Sequence, residues 1–192
     1  MKKIKPLQPY LFLTALLFST LTYGSVFIQT VQAQNNSGSA QETAFQLSFF
    51  HPVQIFNENT DITAFRLNIL YGKNRNVSGL DIGIANHVTE DFTGIQWGAV
   101  HFVKGNAKGG QIGIVNLVKN DLRGFQYSLY NETKTGGGAQ LGLINTAKEL
   151  SGVQIGLLNI ANRMNKGIQI GVINVIKKGG VLPVMPIVNW SF

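Results

Sequence analysis

GVQIGLLN, Gly152 to Asn159, returns fifteen residues later as GIQIGVIN, Gly167 to Asn174. The pattern also occurs as GLDIGIAN from Gly79, GIQWGAVH from Gly94, GGQIGIVN from Gly109, GFQYSLYN from Gly124 and GAQLGLIN from Gly138. Successive starts lie 15, 15, 15, 14, 14 and 15 residues apart, so length changes fall in the connectors and the unit stays whole. Self-similarity at a short fixed period marks a repeat architecture. Within Gly152–Asn159, Val153, Ile155 and Leu157 alternate with Gly152, Gln154 and Gly156, a period of two and therefore a strand. One face is an apolar band with polar ends; the other is a Gln between two glycines.

Working outward, two atypical segments precede the repeats: Ala44 to Phe56 and Ile62 to Gly72, joined by the turn-rich NENTD. The second is a degenerate copy, with Arg66 where the repeat carries Gln and Asn68 where it carries Gly. A last segment, VLPVMPIVNWSF, runs from Val181 to Phe192. The expectation is an all-β domain of ten strands.

A straight strand of about ten residues spans about 33 Å, whereas the roughly five residues left in each period reach at most about 17 Å. Such connectors do not carry a straight strand back to start a parallel neighbour, and antiparallel strands accept short turns. The first expectation is therefore an antiparallel meander that closes into a ten-stranded outer-membrane β-barrel, closure removing both exposed edges. The band of Ile95, Trp97, Ala99, Ile112, Ile114, Phe125, Tyr127, Val153, Ile155, Leu157, Ile168, Ile170 and Val172 would then face lipid, and each Gln would lie near a neighbour's Gly. The alternative is a β-solenoid with 14–15-residue coils. It requires each copy to bend at its central Gly, where a doubled apolar pair (Leu157-Leu158, Val172-Ile173, Ile114-Val115) follows, and it would stack the recurring Asn as a ladder.

The first 33 residues read as a secretory signal: Lys2, Lys3 and Lys5, an apolar stretch from Tyr10 to Leu21, and Val31-Gln32-Ala33 before the cleavage site. Cleavage after Ser25 and an uncleaved anchor over Tyr10 to Val31 are the other readings. Residues 34–43 form a polar lead-in, and 44–192 form the single β-repeat domain. Without the first 33 residues the formal charge falls from +7 to +4. With the cations scattered through the connectors, this describes a solvated rim and no nucleic-acid surface. The chain has no cysteine, so disulfides and a lipoprotein anchor are excluded.

The GxQxGxxN copies, the lead-in QLSFFHPVQ, the strand RLNILYG and the ending PIVNWSF resemble the surface-repeat family of exported bacterial proteins first noticed in spirochaetes. The resemblance covers about Phe45 to Phe192. It implies an outer-membrane or cell-surface location in a diderm (Gram-negative) bacterium and carries no activity onto any residue. Departures are His101 for the repeat Asn, Ser128 for Gly and Asp81 for Gln.

No catalytic, cofactor or metal motif competes with the repeat. The three histidines, His51, His87 and His101, have no metal-ligand spacing, and pairing His87 or His101 with Asp91 or Asp121 as a barrel-embedded hydrolase has no motif behind it. The glycines never open a helix, so no dinucleotide fingerprint arises. The residues singled out are structural. Gln96, Gln111, Gln126, Gln140, Gln154 and Gln169 form an interior hydrogen-bonded set, or else line a polar lumen. Asn86, Asn116, Asn131, Asn145, Asn159 and Asn174 mark the strand ends. Arg66 and Asp81, both in the Gln slot of consecutive strands, form an interior ion pair, and Phe192 serves as a terminal aromatic read by the outer-membrane assembly machinery. Function is expected to be structural or surface-interacting, without catalysis or cofactor, in contact with outer-membrane lipid. The alternatives are a periplasmic or surface solenoid that binds a glycan or protein, and a small pore.

Overall fold

The computed structural model describes residues 41–192; the expected signal, and the lead-in up to residue 40, lie outside them. Eight strands form one sheet in the order β2-β1-β3-β4-β5-β6-β7-β8: β1 (Glu42–Phe50), β2 (Val53–Gln54), β3 (Asp61–Asn74), β4 (Val77–Val88), β5 (Phe92–Val103), β6 (Ala107–Ile112), β7 (Val115–Ile176) and β8 (Val184–Ser191). β7 is a single extended run of 62 residues that winds through successive copies.

The pairing is parallel, one copy on the next. Val77 pairs with Phe92, Gly79 with Gly94, Asp81 with Gln96 and Val88 with Val103, an unbroken fifteen-residue offset. The same offset continues from β5 to β6 and from β6 to β7. The fold is therefore a β-solenoid, and the antiparallel meander closing into a barrel is corrected. The connector argument fails because it takes the strand as straight. Two successive outward residues, Leu157-Leu158 or Val172-Ile173, turn each copy so that its second leg runs back over its first. After that turn a connector of four or five residues suffices. Like then sits on like, Gln on Gln and Gly on Gly, not Gln beside Gly.

The interior is divided. On the connector side Ile62, Val77, Phe92, Ala107 and Leu122 from first legs pack with Val88, Val103 and Val118 from second legs, all at most 2% exposed. A second cluster joins Ala147, Leu150, Ala161, Met164 and Ile176. On the bend side the buried residues are amides. Both ends depart from parallel stacking. At the start, the β1–β2 hairpin lies against β3, and the Gln46 amide bonds both the carbonyl and the N–H of Phe56. At the finish β8 pairs antiparallel with the last leg of β7, Gly167 with Ser191 and Ile170 with Val188. Pro186 within β8 removes a donor from its outer edge, which discourages further strand addition. Phe192 follows β8, 91% exposed. It belongs to this end strand and closes no barrel.

The first glycine of each copy is required by this stacking. Gly94 has φ +134°, and a Cβ there would collide with the carbonyl oxygen of Gly79. Each later copy repeats the collision one coil on, as Gly109 against Gly94 and Gly124 against Gly109. Gly94→Ala is expected to destabilise the fold by about 2 kcal/mol or more, from the left-handed backbone plus the clash. At Gly137 a Cβ would meet only the Leu122 carbonyl oxygen at 3.7 Å, so Gly137→Ala should stay within about 0.5 kcal/mol of wild type. Denaturant unfolding of the two variants checks this; equal effects would contradict the coil register.

Candidate functional site

The Gln column is a continuous hydrogen-bonded ladder. Each Nε2 donates to the Oε1 one coil earlier: Gln111 to Gln96 at 2.6 Å, Gln126 to Gln111 at 2.8 Å, Gln140 to Gln126 at 2.8 Å, Gln154 to Gln140 at 2.7 Å and Gln169 to Gln154 at 2.6 Å. The second N–H of Gln140, Gln154 and Gln169 crosses to a carbonyl on the other leg of its own coil, at Thr146, Ile160 and Val175. The amides thus bind coils to each other and legs to each other. All six are at most 1% exposed and fill the interior as a stack, not as a ring around a lumen.

Gln96, the first rung, donates to the Asp81 carboxylate at 2.8 Å. Arg66 grips that carboxylate with two parallel bonds of 2.8 and 2.7 Å, and neither side chain is exposed. The expected interior ion pair is thus present, between vertically stacked rungs. The spare Arg66 N–H reaches Asn74 and the His87 carbonyl, and Asn68 adds a donor to Asp81. A buried charge is tolerated only when paired and bonded in this way.

The Asn column forms a second ladder of opposite polarity. Asn116 donates to Asn131 at 3.0 Å, Asn131 to Asn145 at 2.9 Å, and Asn145 to Asn159 and Asn159 to Asn174 at 2.8 Å, always toward the later coil. The other N–H of each bonds the carbonyl before the central Gly of the next coil: Tyr127, Leu141, Ile155 and Ile170. Asn therefore recurs because the bend leaves that carbonyl in need of a donor. At the start, Asn68 donates to Asn86 at 2.7 Å, and Asn86 lies 3.1 Å from Nδ1 of His101.

His101 sits in an Asn slot with half of Asn's donors. Its Nε2 lies 3.0 Å from the Ile112 carbonyl, which must accept, so the N–H is there and Nδ1 accepts from Asn86. No donor is left for Oδ1 of Asn116, which is buried without a partner. Gly113 and Ile114, beside this ring, interrupt the extended run between β6 and β7. Burial, only partly opposed by the bond to Ile112, lowers the His101 pKa. His87 is lowered to about 4, first by burial and then by Lys104, Lys73 and Arg66; its Nδ1 lies 2.8 Å from the Tyr71 hydroxyl.

The hydrolase pairings are not brought together. Asp91 accepts from the Asn106 backbone, Asp121 accepts from Arg123, and neither is bonded to His87 or His101. Among the described residues no cluster of three His, Asp or Glu is placed to hold a metal. One polar column escapes the strand reading because it lies in the connectors. Asp61, Asn76, Asp91, Asn106 and Asp121 recur at fifteen residues, each oxygen capping the next coil's backbone N–H. Alternating Asp with Asn keeps carboxylates two coils apart. The comb D-N-D-N-D at the repeat period is the signal that marks it.

With amides inside, the apolar residues lie outside. The band named from sequence faces outward, with no member buried: Trp97 is 62% exposed, Tyr127 59%, Leu157 56% and Val172 62%. Phe45, Phe65, Leu80, Ile95, Phe125, Val153, Ile168 and Trp190 form one column in register, and Leu67, Ile82, Trp97, Ile112, Tyr127, Ile155, Ile170 and Val188 the next. Over the central glycines runs an open cleft of about 760 Å³, floored by Gly142, Gly156 and Gly171 and walled by Tyr127, Leu129, Leu141, Leu143, Ile155, Leu157, Ile170 and Val172. A second cleft of about 370 Å³ continues it over Gly83 and Gly98. A contiguous apolar surface of this kind is the signature of an interaction site.

His101→Asn would supply the missing donor to Asn116 and is expected to stabilise the fold by about 1 kcal/mol. Arg66→Gln or Asp81→Gln alone should cost about 3–5 kcal/mol by stranding the other charge, and the double variant, with an amide at every rung, should lie much nearer wild type. A double-mutant cycle in denaturant reads both. The folded-state pKa of His87 and His101 lies below the unfolded value of about 6.5, so at acid pH the unfolded chain binds more protons. Stability present at pH 7 should therefore fall as pH drops from about 6.5 toward 4, and the decline should be shallower in His101→Asn.

No protein-family model, no curated protein and no solved structure matches the chain.

Proposed function

We propose that the chain is an exported, non-catalytic interaction module of the cell envelope, a rigid solenoid that presents its apolar outer face to another envelope component. The observation that carries this is the continuous exposed band from Phe45 and Phe65 to Ile170 and Trp190. Exposure of that extent exceeds what a monomer displays without a partner. The secretory-type leader and the family resemblance support placement at the outer membrane or cell surface of a diderm bacterium. A pore finds no support in an interior occupied by stacked amides.

The test is fractionation of producing cells. A variant with Tyr127→Ser, Ile155→Ser and Leu157→Ser removes apolar groups that touch water, so its folding should match wild type by thermal denaturation. Wild type is expected in the envelope fraction and the variant in the soluble exported fraction. Envelope retention of a folded variant would overturn the reading.

A further inference from the structure

The distribution of charge beside the face identifies what it meets. From Glu42 to Glu149 the described chain carries nine cations and nine acids; from Ser151 to Phe192 it carries Arg163, Lys166, Lys177 and Lys178 and no acid. The whole net charge of this domain therefore lies in its last coils. None of the four makes an ion pair among the described residues, and all four are exposed. Lys166 continues the outward alternation of Ile168 and Ile170, so its ammonium borders the apolar face directly. Arg123 before Phe125, and Lys108 stacked on Arg123, hold the same border position in earlier coils. At this end the apolar surface also extends onto the terminal strand and its approach, where Leu182, Val184 and Ile187 are 53%, 58% and 73% exposed.

Resting on the docking reading above, we infer that the occupant of this face is an anionic lipid bilayer surface, on which the solenoid lies in the plane of the interface without spanning it. An apolar face edged by long cationic side chains is the physical signature of interfacial binding: the face enters the headgroup–acyl boundary while lysine and arginine reach phosphates at its border. The face fits in size as well. Ten stacked strands at about 4.8 Å give a length of roughly 43 Å, and residues spaced over about 13 Å give its width. Its side chains include Trp97, Tyr127 and Trp190, residue types that favour the membrane interface. The glycine-floored clefts remain open between two walls of apolar side chains, a shape that flexible acyl chains fill. Two copies of this chain meeting face to face would instead bring two uncompensated positive ends into one assembly.

Both tryptophans of the chain, Trp97 and Trp190, lie on this face, and residues 1–40 contain none. Intrinsic fluorescence therefore reports the face alone. The full chain is mixed with phosphatidylcholine vesicles, with or without phosphatidylglycerol, carrying brominated acyl chains. The expected result is a blue shift and bromine quenching with phosphatidylglycerol vesicles, reversed by salt. Binding should weaken roughly tenfold or more in the Tyr127→Ser, Ile155→Ser, Leu157→Ser variant. Replacing Arg163, Lys166, Lys177 and Lys178 with Gln should remove the preference for phosphatidylglycerol, again roughly tenfold or more. Equal binding to both vesicle types, or bound protein with unquenched tryptophan, would overturn the inference. So would absence of binding together with a dimer, seen by sedimentation, that the Ser variant disperses; that outcome would assign the face to a second copy and leave the docking reading standing.

Discussion

Buried amides must be hydrogen-bonded, and the rest of this structure follows from how that is done. A side-chain amide left unpaired in the interior costs about 1–3 kcal/mol, so six glutamines and six asparagines inside one small domain would be prohibitive in most arrangements. Parallel stacking at a constant offset solves the problem by symmetry, because each rung presents its oxygen where the next rung presents its N–H. The fifteen-residue step, the glycine column and the recurring Asn all serve to keep that registration. Arg66 and Asp81 follow the same logic at higher stakes, their charges satisfied by each other and by neighbouring polar groups.

A core built this way reverses the usual placement of apolar side chains. Amides and backbone ladders hold the coils together on the bend side, and hydrophobic burial is concentrated in the two clusters near the connectors. Trp97, Tyr127 and Leu157 are not needed for the interior. The outer face is thus available to be selected for contact alone, with little coupling to stability.

The repeat, its period-two alternation and the sorting of Gln to the inside were legible because each is written into consecutive residues. The Arg66–Asp81 pair was legible too, since two exceptions in one slot of neighbouring copies point to each other. Closure was misread for a reason of geometry. Strand length was inferred from the run of alternation, but Leu157-Leu158 and its counterparts interrupt that alternation by a single residue, and one interruption is enough to fold the strand back. The role of Asn was hidden behind the same bend, because the carbonyl it serves lies on the next coil. The consequence of His101 needed atomic detail: its count of donors matters only once the Ile112 carbonyl and Asn116 are known to compete for them.

The opposite polarity of the two ladders bears on how such a domain can change its length. A single column of aligned amides would gather a dipole that grows with every rung, and its ends would demand ever more compensation. Here the Gln column points its donors toward the first coil and the Asn column toward the last, so each added coil contributes two dipoles that largely cancel. Insertion or deletion of a whole unit leaves the field at both ends nearly unchanged, and one carboxylate at Asp81 suffices to terminate the Gln ladder whatever its length. Coil number is then nearly free to drift by duplication, and with it the extent of the outer face.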